Sequence, residues 1–146
     1  MDVMGIRRGL MMAMASGAWY TSGKFTVPDN VGSNYTINIG KSLSSYLFVV
    51  EMTDTAKTQL INSGINAIRL YSFVGIYPYR SIGNMTSEGN MIVTRINPST
   101  AAVSSSANGS CVCSNNAIDM PIKSIINTTN GVYPGYEYTY YIVEIK

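Results

Sequence analysis

The chain contains no histidine, which removes the imidazole base on which Ser-His-Asp and Cys-His catalysis depend. It also removes the commonest zinc ligand. What remains for chemistry is eight carboxylates, two thiols and eleven tyrosines. Glycoside hydrolysis needs two carboxyl groups held roughly 5 to 10 Å apart. Asp2, Asp29, Glu51, Asp54, Glu88, Asp119, Glu137 and Glu144 are spread along the chain with no spacing that selects a pair. Asp29 falls among turn formers, Asp54 reads as a helix cap, and Glu51 and Glu144 each end an apolar run. Ser104-Ser105-Ser106 has no base partner, and neither a phosphate-cradling glycine pattern nor a calcium loop is present. The residues therefore read as those of a protein that is not an enzyme, with no cofactor and no metal.

Cys111 and Cys113 would lie on one face of a strand, where a bridge between residues two apart is strained. Two thiols do not complete a structural zinc site, so both read as small buried residues, with reaction between copies as the minor alternative. The tyrosines offer a second kind of chemistry. Tyr77 and Tyr79 fall in one loop, and Tyr133, Tyr136, Tyr138, Tyr140 and Tyr141 crowd the C-terminal end. A phenol ring carries an apolar face and a polar tip, suited to gripping a sugar or a protein surface. Tyr77, Tyr79, Tyr133 and Tyr136 are the candidate ligand contacts. The competing reading is that tyrosine fills half-buried strand positions, which its β-propensity favours.

Composition narrows the setting. Charged residues make up 12% of the chain, about half the usual fraction, and Ser, Thr, Asn and Tyr supply the polarity. That suits an extracellular or virion-surface β protein, or a subunit largely covered in an assembly. The net charge of +2 is small, and Lys24, Lys41, Lys57, Arg69, Arg80, Arg95 and Lys123 are scattered, so no nucleic-acid footprint appears.

The elements that must position these residues are mostly strands. Alternating or continuously apolar runs predict strands over 23–27, 35–39, 46–52, 66–75, 91–97, 111–113, 122–128 and 138–145. In the fourth, Ile68, Leu70 and Val74 fall on one face and Arg69, Tyr71 and Phe73 on the other. Thr53-Asp54 predicts the cap of a short connecting helix over 55–62. The small, uncharged stretch 99–110 reads as an exposed loop or linker, 81–90 as a polar loop, and Asn130-Gly131 as a hairpin turn. The fold class expected is mainly β: an antiparallel sandwich or barrel with an N-terminal docking helix and one short connecting helix.

Residues 1–17 stand apart from this pattern. They are Met-rich and nearly free of charge, and Val3, Ile6, Leu10 and Ala13 recur at alternating three- and four-residue steps, the spacing of a helical seam. Two heptads are too few to be stable alone. The segment therefore reads as a docking helix, with Val3, Ile6, Leu10, Ala13 and Met14 as the attachment residues. It could instead cover an open part of its own sheet. Arg7-Arg8 followed by an apolar run also fits a secretory signal, which would place the protein outside the cell. Spanning a membrane takes roughly 20 apolar residues, more than the segment has. Residues 1–17 are thus an attachment or oligomerisation element and 18–146 a β-sandwich domain.

Three stretches together resemble small virion proteins of tailed phages and prophages of gut bacteria: Met4 to Ala15 (MGIRRGLMMAMA), Ser22 to Pro28 (SGKFTVP) and Tyr136 to Tyr141 (YEYTYY). The resemblance covers both ends of the chain and not its middle. It implies a structural component of a tail, baseplate or head fibre, located in the virion and present as a symmetric oligomer attached by its N-terminal segment. The partners implied are copies of the chain, as a trimer or larger ring, and other virion proteins. The alternative from another class is a host-surface carbohydrate-binding module whose Tyr-rich loops contact glycan.

Overall fold

The computed structural model describes residues 17–78, 91–107 and 111–145. Among these the chain forms two antiparallel sheets and one helix. The strands are β1 (Tyr20–Thr26), β2 (Asn34–Asn38), β3 (Tyr46–Met52), β4 (Arg69–Tyr77), β5 (Met91–Ile96), β6 (Val103–Ala107), β7 (Val112–Cys113), β8 (Ala117–Pro121) and β9 (Glu137–Glu144), with helix α1 (Asp54–Ile61) between β3 and β4. The larger sheet runs β1-β9-β3-β4-β5-β6 and the smaller β2-β8-β7. The sheets do not close into a barrel. Of the two architectures expected, the barrel is set aside. The expected N-terminal helix, with Val3, Ile6, Leu10, Ala13 and Met14, lies outside the described residues, as do Tyr79 and the loop 81–90.

Period-two alternation decides which side of the large sheet makes the core. Phe48, Val50 and Met52 of β3, Phe73 of β4, Val93 of β5 and Tyr138 and Ile142 of β9 point inward. There they meet Ile37, Ile118 and Met120 of the small sheet in one buried cluster. The strand expected over 46–52 matches β3, and its continuous apolar run follows from burial on both faces. Helix α1 starts where its cap was expected: the Thr53 hydroxyl accepts the Ala56 N–H at 3.2 Å. Leu60 and Ala56 are its buried side.

Four expectations need correction. The register of β4 shifts between Leu70 and Ser72. That bulge puts Leu70 and Phe73 in the inner core together, while Val74 faces out, so the alternation counted from Ile68 fails at one extra residue. Within the stretch expected to be a loop or linker, Val103–Ala107 is β6, paired with β5, while 108–110 lie outside the described residues. An edge strand gains its ladder bonds without apolar side chains, so composition alone hides it.

No strand forms over 122–128. Ser124 and its neighbours close turns instead, and the strand is the preceding Ala117–Pro121. The buried guanidinium of Arg69 clamps that turn by donating to the carbonyls of Ile125 and Ile126. Finally, Asn130-Gly131 closes no hairpin, because Val132 forms an isolated parallel bridge with Ile122. Gly131 is there for close approach: a Cβ on it would sit 2.7 Å from the Pro121 carbonyl oxygen.

Three buried tyrosines tie the layers by their hydroxyls. Tyr46 donates to the Ser114 carbonyl at 2.8 Å. Tyr133 accepts the Leu70 N–H at 3.0 Å and donates to the Thr129 carbonyl at 2.8 Å. Tyr138 accepts the Tyr133 N–H at 3.2 Å. Burial pushes the Tyr133 phenol up to about 12, against a partial pull downward from the Leu70 N–H, Arg69 and Arg95. Burial also pushes Tyr138 and Tyr46 upward.

A raised phenol stabilises the fold fully below the unfolded value near pH 10 and loses that contribution as pH climbs through the folded value. We therefore expect alkaline unfolding with stability falling from about pH 10 to about pH 12. Tyr133→Phe leaves the buried Leu70 N–H without its acceptor and should cost about 1–3 kcal/mol at neutral pH. Urea titrations at pH 7 and pH 11 check both; equal stability at the two pH values would contradict the first.

Candidate functional site

The face of the large sheet turned away from the core carries the most unusual arrangement in the molecule. Strand register sets its residues in rows. Lys24, Thr139, Glu51, Ser72 and Thr94 lie directly opposite one another across β1, β9, β3, β4 and β5. The next row is Ser22, Tyr141, Val49 and Val74, and the one after it Tyr20, Val143, Leu47 and Ile76. A polar stripe thus runs alongside an apolar band on one face.

An outer sheet face normally meets water. Here Val49, Val74 and Val143 are 0%, 1% and 2% exposed and form a second apolar cluster with Ala18, Leu47 and Tyr141 packed on it. The polar stripe is buried at its centre too: Glu51, Ser72 and Thr94 all fall below a tenth exposed. The Ser72 hydroxyl has no hydrogen-bond partner, although a buried hydroxyl ordinarily finds one. Towards β1 the stripe opens into a cleft of about 350 Å³ lined by Lys24, Glu51, Asp54, Lys57, Thr139 and Tyr141 among others. The N-terminus of α1 borders it, with Lys57 4.0 Å from Asp54 and stacked over the Tyr71 ring at 5.3 Å. Burial first, and then the Glu51 charge, raise the Tyr71 phenol above its usual value.

The cleft is lined by carboxylates, ammonium groups and hydroxyls, without a thiol or imidazole. Among the described residues no group of three His, Cys, Asp or Glu side chains is placed to hold a metal ion. No helix among them is long and apolar enough to cross a membrane.

The tyrosines expected to contact ligand are placed differently. Tyr133 is 0% exposed and Tyr136 5%, both in the inner core, with their rings edge to face at 6.2 Å. The Tyr133 hydroxyl and amide are both spent on internal hydrogen bonds. Tyr77 is half-buried and stacked on Tyr46 at 5.2 Å. Tyr133 and Tyr136 therefore do not make a ligand-binding surface. Cys111 is buried and Cys113 half-buried, and no disulfide joins them. A hydrogen bond with Cys113, together with burial, pushes the Cys111 thiol well above its usual value, which keeps it protonated and unreactive at neutral pH.

The outer face was not found from sequence, because alternation says which residues share a side and not which side is covered. The signal was present in the continuous burial-like character of Tyr46 to Met52, which needs apolar cover on both faces. Compared with family models, curated proteins and solved structures, the chain gives no match.

If the outer band is covered as a core is, Val74→Ala should cost about 2 kcal/mol through lost burial and the cavity left behind. Val112 is 72% exposed, and Val112→Ala should fall within about 0.5 kcal/mol of wild type. Denaturant midpoints of the two variants check this; equal small effects would place Val74 in water.

Proposed function

We propose that this chain is a non-enzymatic structural subunit of a phage virion, attached through residues 1–17 and displaying the β-sandwich on the particle. The observation that carries the attachment is the make-up of residues 1–17, Met-rich and nearly free of charge, beside a core that, among the described residues, is made from the two sheets, α1 and their connections. A Met-rich apolar segment is suited to a partner surface, since methionine adapts to imperfect complementarity. The virion setting rests on the resemblance of the chain's two ends to small phage virion proteins, and low charge is in keeping with a subunit covered by neighbours.

The partners on this reading are copies of the chain, in a trimer or larger ring, and other virion proteins. Closed cyclic symmetry buries identical patches without forming filaments. Glycan binding by a Tyr-rich loop has less support, since two of its four rings are core residues.

Assembly adds stability by mass action, so the melting temperature should fall on dilution. Light scattering should give an oligomer mass at micromolar concentration, and removal of residues 1–17 should abolish it. A monomer mass at every concentration, with a melting temperature unchanged over a hundredfold dilution, would overturn the reading.

A further inference from the structure

The inner face of the small sheet gathers sulfur at one end of its strand order. β7 pairs with β8 through Val112 opposite Asp119 and Cys113 opposite Ile118. Val112 is exposed on the outer side, so alternation turns Cys111 and Cys113 inward on either side of it. The two thiols are hydrogen-bonded to each other, and the Tyr46 hydroxyl is hydrogen-bonded to Cys113. The same register carried one residue further sets Met120 opposite Cys111. Opposed residues of an antiparallel pair have Cβ atoms about 4.5–5.5 Å apart, so the Met120 thioether shares this corner. Cys111 and Met120 both belong to the inner core. Cys113 packs against that core and is only half-buried, which gives solvent a route to the sulfurs.

Spacing decides what the two thiols can do together. Residues two apart in a strand are about 6.6 Å apart along it, whereas a disulfide holds its Cβ atoms at about 3.8 Å. Closing one would bend β7 out of its ladder with β8. An ion between the sulfurs asks for less. Two metal–thiolate bonds of about 2.3 Å, the length zinc makes, put the sulfurs roughly 4–4.5 Å apart. Two cysteine side chains leaning together from positions two apart reach that separation.

We propose that Cys111, Cys113 and Met120 form a binding site for monovalent copper, with the two thiolates as principal ligands and the thioether as the third. Thiolate and thioether sulfur select this soft ion, which is satisfied by two or three ligands, whereas structural zinc takes four. On binding, two copper–sulfur bonds replace two S–H bonds and both protons leave to solvent. The site keeps one negative charge, close to water at half-buried Cys113. A thiol that burial holds protonated resists alkylation, but metal binding displaces its proton. The site does not depend on how the chain is attached or assembled.

The test titrates the full chain, without oxygen, against Cu(I) held by bicinchoninate, whose colour fades as copper leaves it. The chain should take up a single equivalent. Loss of groups merely behind a metal ligand costs about 10–100-fold in affinity, so Cys113→Ser and Cys111→Ala should each cost about a hundredfold or more, and Met120→Leu about tenfold. Circular dichroism checks that each variant is folded. X-ray absorption of the wild-type complex gives a reading that needs no variant: a first shell of two or three sulfur atoms alone. The chain has nine methionines, so copper held by thioethers elsewhere, with affinity unchanged when both cysteines are replaced, would overturn the proposal. So would the absence of transfer from bicinchoninate, nitrogen or oxygen in the first shell, or Zn(II) bound as tightly as Cu(I).

Discussion

The structure depends on one strand being held from both sides. β9 enters between β1 and β3 and pairs with each along almost its whole length, so the last strand in sequence joins the first to the middle of the sheet. Its alternation then loads both faces. Tyr138, Tyr140 and Ile142 point to the inner core, while Thr139, Tyr141 and Val143 point to the outer face. Gly23 of β1 makes part of this possible. A Cβ there would sit 2.7 Å from the Tyr140 hydroxyl, so the missing side chain is the space into which Tyr140 leans.

From this arrangement the roles of the tyrosines follow. A sheet backed by a three-stranded layer has a wide gap to fill, and long aromatic side chains fill it with rings that still reach a carbonyl or amide at the far side. Phe25 stacks on Tyr35 at 4.3 Å and on Tyr138 at 5.5 Å, linking the edge of the large sheet to the small one. What looks in the sequence like a surface rich in ligand-gripping rings is in large part the bracing between layers. The polarity of the ring tip serves internal hydrogen bonding.

Much of the fold was legible in the sequence, and the failures have physical reasons. β3 and α1 were readable because each carries a local signal, a continuous apolar run and a capping threonine. β9 was readable from its β-branched and aromatic run. β6 was missed because a serine-rich edge strand is made by its partner's backbone. The 122–128 turn was mistaken for a strand because Ile122, Ile125 and Ile126 imitate one, while the Arg69 clamp that fixes the turn comes from 56 and 57 residues away in sequence and leaves no local trace. The outer face was invisible for a different reason: a two-sided sheet and a one-sided sheet with an apolar strand share the same periodicity. The segment 1–17 is recognisable in the sequence as foreign to the β pattern.

The central claim is that the large sheet is covered on both faces. Methyl-labelled valine in the full-length chain, observed by NMR with a soluble nitroxide added, tests it most directly. The account predicts that the methyl signals of Val49, Val74 and Val143 stay as sharp as that of Val50 in the inner core, while the Val112 signal broadens. Broadening of the three outer valines to the level of Val112 would contradict it.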